Sequence, residues 1–419
     1  MHGWDRKTSD TERVLAVAIW CREDCEQGVS NSLDELERLV ETAGGQVVGR
    51  FVQRRDRPKS STFIGSGKIV EIADAVSAQD VSLVVFDGEL SGTQQKNLER
   101  ELDCRVIDRT GIILDIFSQH ARTREAKTQV EMATLEYLIT HLTRRWSHLE
   151  RQRGGIGLRG VGERQIELDR RQIRVRIAKL KQELARIARL RQVQRHHRDR
   201  FLRVAIVGYT NAGKSTLMNS LTVGEVYVDD RLFATLDSTV RIIDPKTRPP
   251  ILLSDTVGFI NKLPHTLVAS FKSTLAEVLE ADILLHVVDL SSHNYQEQMR
   301  VTEQVLDEIG AGDKPGFLVF NKSDLVTNVL LPKIVERKYI DSLVVSAFEP
   351  NDMVRLRESI YGFFERDMVE LEVVVPYANS QLQSRIYDSA KVLETRFLEN
   401  GTWLRIKIMR ADASHLKIL

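Results

Sequence analysis

The chain has 419 residues, a length that accommodates about two to four domains and a sizeable core. Hydrophobic residues make up 42 % and charged residues 28 %, which excludes a largely disordered chain. The 60 Lys and Arg nearly balance the 59 Asp and Glu, so the overall charge of +1 does not mark a nucleic-acid binder. There are three cysteines, no apolar run long enough to span a membrane, and no apolar core of a signal peptide at the start, so we expect a cytoplasmic protein in a reducing compartment.

Residues 1–121 alternate short apolar runs with helical patterns, which predicts a small N-terminal α/β domain. Runs rich in Val and Ile predict the strands, and amphipathic segments between them predict the helices. The predicted strands are 13–20, 46–53, 81–87 and 104–109, and the predicted helices are 32–44, 68–78 and 92–102.

Residues 122–200 change to a purely helical period. Large apolar residues recur every three or four positions on both sides of the segment GGIGLRGVG (154–162), which has five glycines in nine residues. Because glycine disfavours a helix interior, we predict two long antiparallel helices joined by a glycine-rich tip.

Charge is concentrated in the same part of the chain. Residues 151–200 carry 16 basic and 5 acidic side chains, a local net charge of +11, whereas the remainder carries −10. Such a segment commonly faces an anionic partner, although a solvated helical face that binds nothing has the same composition. Both interpretations remain open from charge alone.

A phosphate-binding motif follows the basic segment. The apolar strand RVAIVG (203–208) leads into GYTNAGKST (208–216), which has the GxxxxGK[ST] spacing between a strand and a helix. Backbone N–H groups and the helix N-terminus would surround the phosphates, Lys214 would contact the β and γ phosphates, and the Ser215 hydroxyl would bind Mg²⁺. The predicted nucleotide contacts of this loop are Gly208, Tyr209, Thr210, Asn211, Ala212, Gly213, Lys214, Ser215 and Thr216.

Two segments predict the groups that respond to the γ phosphate. In ILLSDTVG (251–258), Asp255 would hold Mg²⁺ through water and the Gly258 N–H would contact the γ phosphate, with Thr256 and Val257 between them. In FATLD (Phe233, Ala234, Thr235, Leu236, Asp237), Thr235 would close on Mg²⁺, and Thr239 is the alternative. We therefore assign Lys214, Thr235 and Gly258 to catalysis, and Ser215 and Thr235 to the metal.

Phe259 stands directly after Gly258, a position at which some P-loop nucleotide hydrolases carry a glutamine that orients the attacking water. A phenyl ring neither donates nor accepts a hydrogen bond. We therefore expect slow intrinsic hydrolysis, with the missing help supplied by another part of the chain, by a partner, or not at all.

Two further segments predict specificity for guanine. In FLVFNKSD (317–324), the Asp324 carboxylate would accept from guanine N1 and N2, Asn321 would brace the pocket, and the Lys322 stem would cover the base, next to Ser323. VVSAF (344–348) supplies the last loop, in which the Ala347 N–H would face the guanine oxygen, flanked by Ser346 and Phe348. These motifs, in this order and each after an apolar strand, resemble the translation-factor-related GTPase superfamily. They predict a P-loop GTPase domain over 201–368.

The remaining residues, 369–419, read as strand, helix and strand hairpin, with a turn at Asn400-Gly401. This pattern predicts a short C-terminal α+β appendage without chemistry of its own. The fold class is therefore α/β, in four parts.

A GTPase domain preceded by a basic hairpin with the tip sequence GGIGLRGVGE (154–163) resembles the HflX family of ribosome-associated GTPases. That family usually reads GGIGTRGPGETQLETDRR, so Leu158, Val161 and Arg164 depart from it. The resemblance implies GTP or GDP with Mg²⁺ as ligands and a cytosolic protein that binds the large ribosomal subunit through its ribosomal RNA. It also implies activation by the ribosome and the splitting of stalled or stress-inactivated ribosomes. We expect a monomer.

Two other classes of function remain open. A nucleotide-gated RNA-binding protein with little turnover fits Phe259, and an ATP-using RNA remodeller is opposed by Asp324, whose carboxylate would face the acceptor N1 of adenine.

Overall fold

The computed structural model describes residues 12–21, 26–142, 161–196, 201–222, 232–233, 239–245, 247–262, 275–416 and 418. The chain folds as two compact units. The first consists of Met1–Arg189 with the short segments Arg231–Leu236 and Asn261–Phe271. The second consists of Leu190–Asp230, Asp237–Ile260 and Lys272–Leu419.

The first unit begins with a four-stranded parallel sheet in the order β2-β1-β3-β4, with α-helices as the connections. Its elements are β1 (Glu12–Trp20), α1 (Glu26–Ala43), β2 (Gly45–Arg54), α2 (Ser66–Gln79), β3 (Leu83–Phe86), α3 (Gly92–Leu102), β4 (Arg105–Asp108) and α4 (Arg109–His120). A core of aliphatic and phenylalanine side chains, which includes Phe86 and Ile72, packs against the sheet. The α/β prediction for this region is confirmed.

Local sequence explains where these helices start. The Ser91 hydroxyl accepts from the Gln94 N–H while the Gln94 side chain accepts from the Ser91 N–H, a capping box that begins α3. The Asp108 carboxylate caps α4 by accepting from the Gly111 N–H. Helix α4 was not predicted, because its residues from Arg109 to Phe117 are nearly all buried and so show no amphipathic period.

Two further helices are α5 (Arg124–His141), in the first unit, and α6 (Val161–His196), which belongs to the first unit as far as Arg189. They pack side by side through an apolar seam. Ion pairs Arg124–Glu183 and Arg176–Glu131 run in opposite directions along the two helices, so the pair is antiparallel, as predicted. Of the predicted tip, 154–160 lies outside the described residues, and α6 takes up its last two residues from Val161 onward.

The second unit contains a six-stranded sheet in the order β10-β9-β8-β5-β7-β6, parallel except for the edge strand β6. Its strands are β5 (Leu202–Gly208), β6 (Thr239–Ile242), β7 (Ile251–Asp255), β8 (Ile283–Asp289), β9 (Gly316–Asn321) and β10 (Leu343–Val344). Its helices are α7 (Lys214–Leu221), α8 (Ala276–Glu280), α9 (Tyr295–Glu308), α10 (Leu331–Lys338) and α11 (Pro350–Glu365). Aliphatic side chains of β5, β7, β8 and α11 form much of its main core.

The same unit ends in a three-stranded antiparallel sheet in the order β11-β13-β12. Its elements are β11 (Met368–Pro376), α12 (Ser380–Ser389), β12 (Lys391–Leu398), β13 (Gly401–Met409) and α13 (Arg410–His415). Side chains of α12 and α13 pack with the sheet in a small apolar core. The predicted order of strand, helix and strand hairpin is therefore confirmed. Within the described ranges, no helix is both long and apolar enough to cross a membrane.

Candidate nucleotide site

The phosphate-loop residues join the end of β5 to the start of α7. Gly208 and Gly213 adopt positive φ angles of 152° and 87°. A Cβ atom on Gly208 would lie 2.2 Å from the Val287 carbonyl oxygen, and one on Gly213 would lie 2.3 Å from Asn321 Nδ2. Only glycine fits at these two positions, which explains why a loop that must wrap phosphates carries glycine there.

Lys214 begins α7 and its ammonium is buried. Nζ donates to the Tyr209 carbonyl oxygen at 2.7 Å, so the side chain curls back over the loop. Burial lowers the pKa of Lys214 to about 8, against an attraction to Asp255 that raises it. A cation kept in this position is suited to phosphate, which would supply the negative charge that the protein provides only in part.

Ser215 and Asp255 lie together on α7 and β7. The Ser215 hydroxyl donates to Asp255 Oδ2 at 2.6 Å, and Asp255 is fully buried. Hydroxyl and carboxylate oxygens are the ligands that Mg²⁺ prefers, so these two residues fit a magnesium ion carried with the phosphates. Across the described part of the chain, no cluster of three or more His, Cys, Asp or Glu side chains forms a separate metal site.

Gly258 and Phe259 lie directly against the phosphate loop. The Thr210 N–H donates to the Phe259 carbonyl at 2.7 Å, and the Phe259 N–H donates to the Gly208 carbonyl at 3.1 Å. A Cβ on Gly258 would lie 2.9 Å from both Lys214 Nζ and Thr210 Cα. Phe259 is 2 % exposed, so the residue that replaces glutamine is part of the interior.

The base-side residues form a hydrogen-bonded group. Asn321 Nδ2 donates to the Ala212 carbonyl at 3.0 Å, and Asn321 Oδ1 accepts from the Ala347 N–H at 3.1 Å. Asn321 therefore joins the phosphate loop to the last loop of the site. The Ser346 hydroxyl donates to Asp324 Oδ1 at 2.7 Å, which orients the carboxylate predicted to recognise guanine.

Sequence reasoning missed two carboxylates in this group. Asp352, in the first turn of α11, accepts from the Ser346 N–H at 2.8 Å, and Asp289, at the end of β8, lies 2.8 Å from Lys322 Nζ. The only sequence signal for Asp289 is its position at the end of an apolar strand, ILLHVVD.

The other predicted residues of this unit lie on the same loops. The Thr256 hydroxyl donates to the Ile206 carbonyl at 2.7 Å and the Ser323 N–H to the Val345 carbonyl at 3.2 Å. Asn211 and Phe348 are exposed, Val257 is buried, and Thr216 lies within α7.

Phe233 belongs to the first unit, where its ring packs edge-on against Phe117 of α4 with centroids 4.7 Å apart. Ala234, Thr235, Leu236 and Asp237 lie outside the described residues, so the assignment of Thr235 to the metal and to catalysis stays a prediction. The alternative, Thr239, begins β6 and pairs in register with Asp255 of β7.

A phosphate loop after a buried strand, a serine that donates to a buried aspartate, and an asparagine that joins the phosphate loop to the loop at Ala347 are the features of a P-loop GTPase. Three family profiles match consecutive parts of the chain: "GTP-binding GTPase N-terminal" over 30–118, "GTP-binding GTPase Middle Region" over 120–198 and "50S ribosome-binding GTPase" over 203–322.

Curated relatives extend the match over nearly the whole chain. The GTPase HflX of Flavobacterium psychrophilum is 51 % identical over 76 % of this chain and 77 % of the relative. Those of Gluconacetobacter diazotrophicus and Escherichia coli are 44 % and 42 % identical over 92 % and 93 % of this chain, and over 93 % and 92 % of the relatives. The chain belongs to the HflX family of GTPases, and it is a GTP-hydrolysing enzyme.

Solved structures similar to this chain include one titled "crystal structure of SsGBP and GDP complex". It is 26 % identical, covers 84 % of this chain and 98 % of its own, and has a TM-score of 0.47. A GTP-binding protein from Sulfolobus solfataricus in complex with GDP is 25 % identical over 84 % of this chain and 99 % of its own, with a TM-score of 0.42.

Proposed function

We propose that this chain is a guanine-nucleotide switch that binds the large ribosomal subunit and splits stalled or stress-inactivated ribosomes. The family profile matched by 203–322 is described as a 50S ribosome-binding GTPase. The observation that carries the proposal is the combination of a complete phosphate loop with an exposed basic face on α6. The cytoplasm, where ribosomes are, is the compartment this proposal requires.

The basic face supports RNA as the partner. The exposed side chains of α6 include several arginines and lysines that form no ion pair with an acidic side chain of the described residues: Arg171, Arg174, Lys179, Arg186 and Arg189. Cations along a helix neutralise a phosphate backbone and release its counterions. We therefore expect ribosome binding to weaken steeply with added salt.

The nucleotide would bind with its phosphates on Gly208–Ser215 and its base between Lys322 and Ala347. Asp324 would accept from guanine N1 and N2. When bound, Mg²⁺ would supply positive charge to the β and γ phosphates, with Ser215 and Thr235 as its protein ligands and Asp255 acting through water. Lys214 would stay charged against the phosphates, and the Gly258 N–H would contact the γ phosphate.

The nature of Phe259 supports activation by a partner. Its buried ring offers no group to orient water, and the loss of a positioned group of this kind costs a factor on the order of 10²–10⁴ in rate. We expect slow turnover by the chain alone and stimulation by the ribosome. GTP would order the Thr235 and Gly258 segments, and hydrolysis would release the subunit.

The test is GTP turnover by the purified chain, alone and with large ribosomal subunits. Matched variants are a deletion of 154–162, which removes the predicted tip, and Asp324→Asn, which weakens guanine recognition. We expect subunits to stimulate the intact chain, the tip deletion to lose that stimulation, and Asp324→Asn to lose GTP binding.

Three results would contradict the proposal. Tight subunit binding without stimulation would favour a nucleotide-gated RNA-binding protein. Equal subunit affinity with a GTP analogue and with GDP would exclude the switch. Turnover of ATP by Asp324→Asn and by the unaltered chain at similar rates would favour an ATP-using remodeller.

A further inference from the structure

The Lys322 side chain is held at both of its ends. Its backbone has the left-handed φ of 61°, directly after the last residue of β9. At the other end, Nζ lies 2.8 Å from Asp289 Oδ2, and both side chains are largely buried. A lysine stem otherwise samples many rotamers, so fixing both ends selects a small set of paths for it.

Asp289 is itself oriented by its own turn. Its Oδ1 atom accepts from the Ser291 N–H at 3.0 Å and from the Ser291 hydroxyl at 2.5 Å. Oδ1 is thus occupied by the turn while Oδ2 faces the lysine. One oxygen of the carboxylate therefore fixes its orientation, and the other pairs with the Lys322 ammonium.

The sheet register brings these two residues together. Strands β8 and β9 are parallel, with Asp289 in register with Asn321, and the Leu290 N–H donates to the Asn321 carbonyl at 3.0 Å. The residue after Asn321 therefore starts next to Asp289. This proximity follows from strand pairing, because 33 positions separate the two residues in the sequence.

The stem of Lys322 passes beside the phosphate loop. A Cβ on Gly213 would lie 3.9 Å from Lys322 Cε. The end of the stem therefore lies next to the loop that would hold the phosphates. A stem already in this position loses little conformational entropy when a nucleotide binds under it.

We propose that Asp289 is a positioning residue for guanine nucleotides: by holding the Lys322 ammonium, it keeps the lysine stem across the face of the base. The inference rests on the base placement proposed above. It assigns to Asp289 an effect on nucleotide affinity that passes entirely through Lys322.

A double-mutant cycle separates this role from a structural one. The variants are Asp289→Asn, Lys322→Met and the double variant, and the measurement is the dissociation constant of fluorescently labelled GDP. Asn keeps an oxygen for Ser291 while removing the charge that holds the lysine. We expect Asp289→Asn to weaken GDP binding about fivefold in the unaltered chain, and to have no effect beyond about twofold once Lys322 is Met.

Asp282→Asn is the matched control. Asp282 immediately precedes the same strand, and its carboxylate accepts from the Arg203 N–H at 2.7 Å at the opposite end of β8. We expect its GDP affinity to stay within about twofold of the unaltered chain. If Asp289→Asn does not fold, Ser291→Ala tests the same idea, because loss of that hydroxyl frees the carboxylate to turn away from Lys322.

The outcomes distinguish the two proposals. The same loss of affinity in both backgrounds, or no loss in either, overturns the positioning role while leaving the base placement intact. Unchanged GDP affinity in Lys322→Met also overturns the positioning role alone, because a methionine stem that nothing holds would then cover the base equally well. Unchanged GDP affinity in Asp324→Asn overturns the base placement itself, and the positioning role with it.

Discussion

Asp87 forms hydrogen bonds with three residues of the first unit that lie far apart in the sequence. It follows β3, is 4 % exposed, and accepts hydrogen bonds from Ser32, Arg109 and Lys262 at 2.6–2.7 Å. Arg109, 2 % exposed, also pairs with Glu35. Lys262 comes from a short segment that follows the Gly258 motif in sequence yet belongs to the first unit. Because Asp87 and Arg109 are buried, each charge depends on its partners.

We predict that Asp87→Asn destabilises the chain by about 3 kcal/mol, because it leaves the buried Arg109 without one of its counter-charges. Lys262→Met should cost about 1 kcal/mol or less, because the lysine is 51 % exposed and solvent screens its pair. Urea unfolding at pH 7 measures both. Similar losses of unfolding free energy in the two variants would contradict the prediction that Asp87 stabilises the chain mainly through the buried Arg109.

The same carboxylate predicts a pH dependence. Burial by itself raises the pKa of Asp87, but Arg109 and Lys262 outweigh it and hold that pKa below the usual 3.8. Its stabilising effect is therefore complete above about pH 4 and is lost as the pH falls through the lower folded-state value. The stability gap between the unaltered chain and Asp87→Asn should narrow in acid. A gap that stays constant down to about pH 3 would contradict this assignment.

Gly258 leaves no room for a side chain, and Gly362 provides a matched position where a side chain has room. A methyl group at Gly258 would push against Lys214 and Thr210, whereas nothing lies within 4 Å of the corresponding position at Gly362, inside α11. Overpacking costs about 1–3 kcal/mol, and a cost of about 1.4 kcal/mol, in the lower half of that range, corresponds to about tenfold in affinity. We predict that Gly258→Ala weakens binding of a GTP analogue about tenfold, because the displaced Gly258 N–H would no longer contact the γ phosphate. GDP lacks that phosphate, so its binding should change much less.

Gly362→Ala is the control for this change. It should leave both nucleotide affinities unaltered and stabilise α11 by about 0.5–1 kcal/mol, since alanine is favoured in a helix interior. Equal losses of GDP and GTP-analogue affinity in Gly258→Ala would contradict the contact with the γ phosphate and would mean that this glycine is needed for the conformation of the loop.

At the scale of elements, the antiparallel helices α5 and α6 depend on a narrow apolar seam. Met132, Ile177 and Leu180 are buried between them, and most other described side chains of α6 face solvent. We predict that Leu180→Ala lowers stability by about 2–5 kcal/mol because it opens a cavity in the seam. Leu190→Ala should change it by less than about 0.5 kcal/mol, because this leucine is 58 % exposed. Urea unfolding followed by helical circular dichroism distinguishes the two.

Elements with strong periodic patterns were predictable from sequence, and those without were not. Helix α3 spans the predicted residues, from Gly92 to Leu102, because a capping residue and an amphipathic pattern agree. Helix α4 was missed because it is buried on nearly all sides. The segment 344–348, predicted as the last loop of the site, follows a strand of only two residues, β10 (Leu343–Val344).

At the scale of the whole molecule, all described residues of the proposed nucleotide pocket except Phe233 belong to the second unit. We predict that GDP at about 100 times its dissociation constant stabilises the folded chain by about 2.7 kcal/mol, because it binds only the folded state. Scanning calorimetry should show this as a concentration-dependent rise in the melting temperature. Asp324→Asn should lose the rise at the same GDP concentration, and a rise that persists in this variant would contradict guanine recognition by Asp324.

Sequence by itself determined the class of the protein and the type of its site. The phosphate loop, DTVG and NKSD are short motifs in which spacing along the chain already sets the geometry, because each loop leaves the end of a strand. The alternation of strands and helices, and the helical period of 122–200, likewise follow from local patterns of burial.

Tertiary structure alone decided which distant residues complete the site. Strand pairing brings Asp289 to Lys322 at the proposed site, and in the first unit Lys262 lies 2.6 Å from Asp87. None of these pairs has a signal in its spacing, because the contact depends on sheet register and on which side chains the core leaves space for. The burial of Phe259 is of the same kind: its identity is a fact of sequence, but its place in the interior comes from the packing around it.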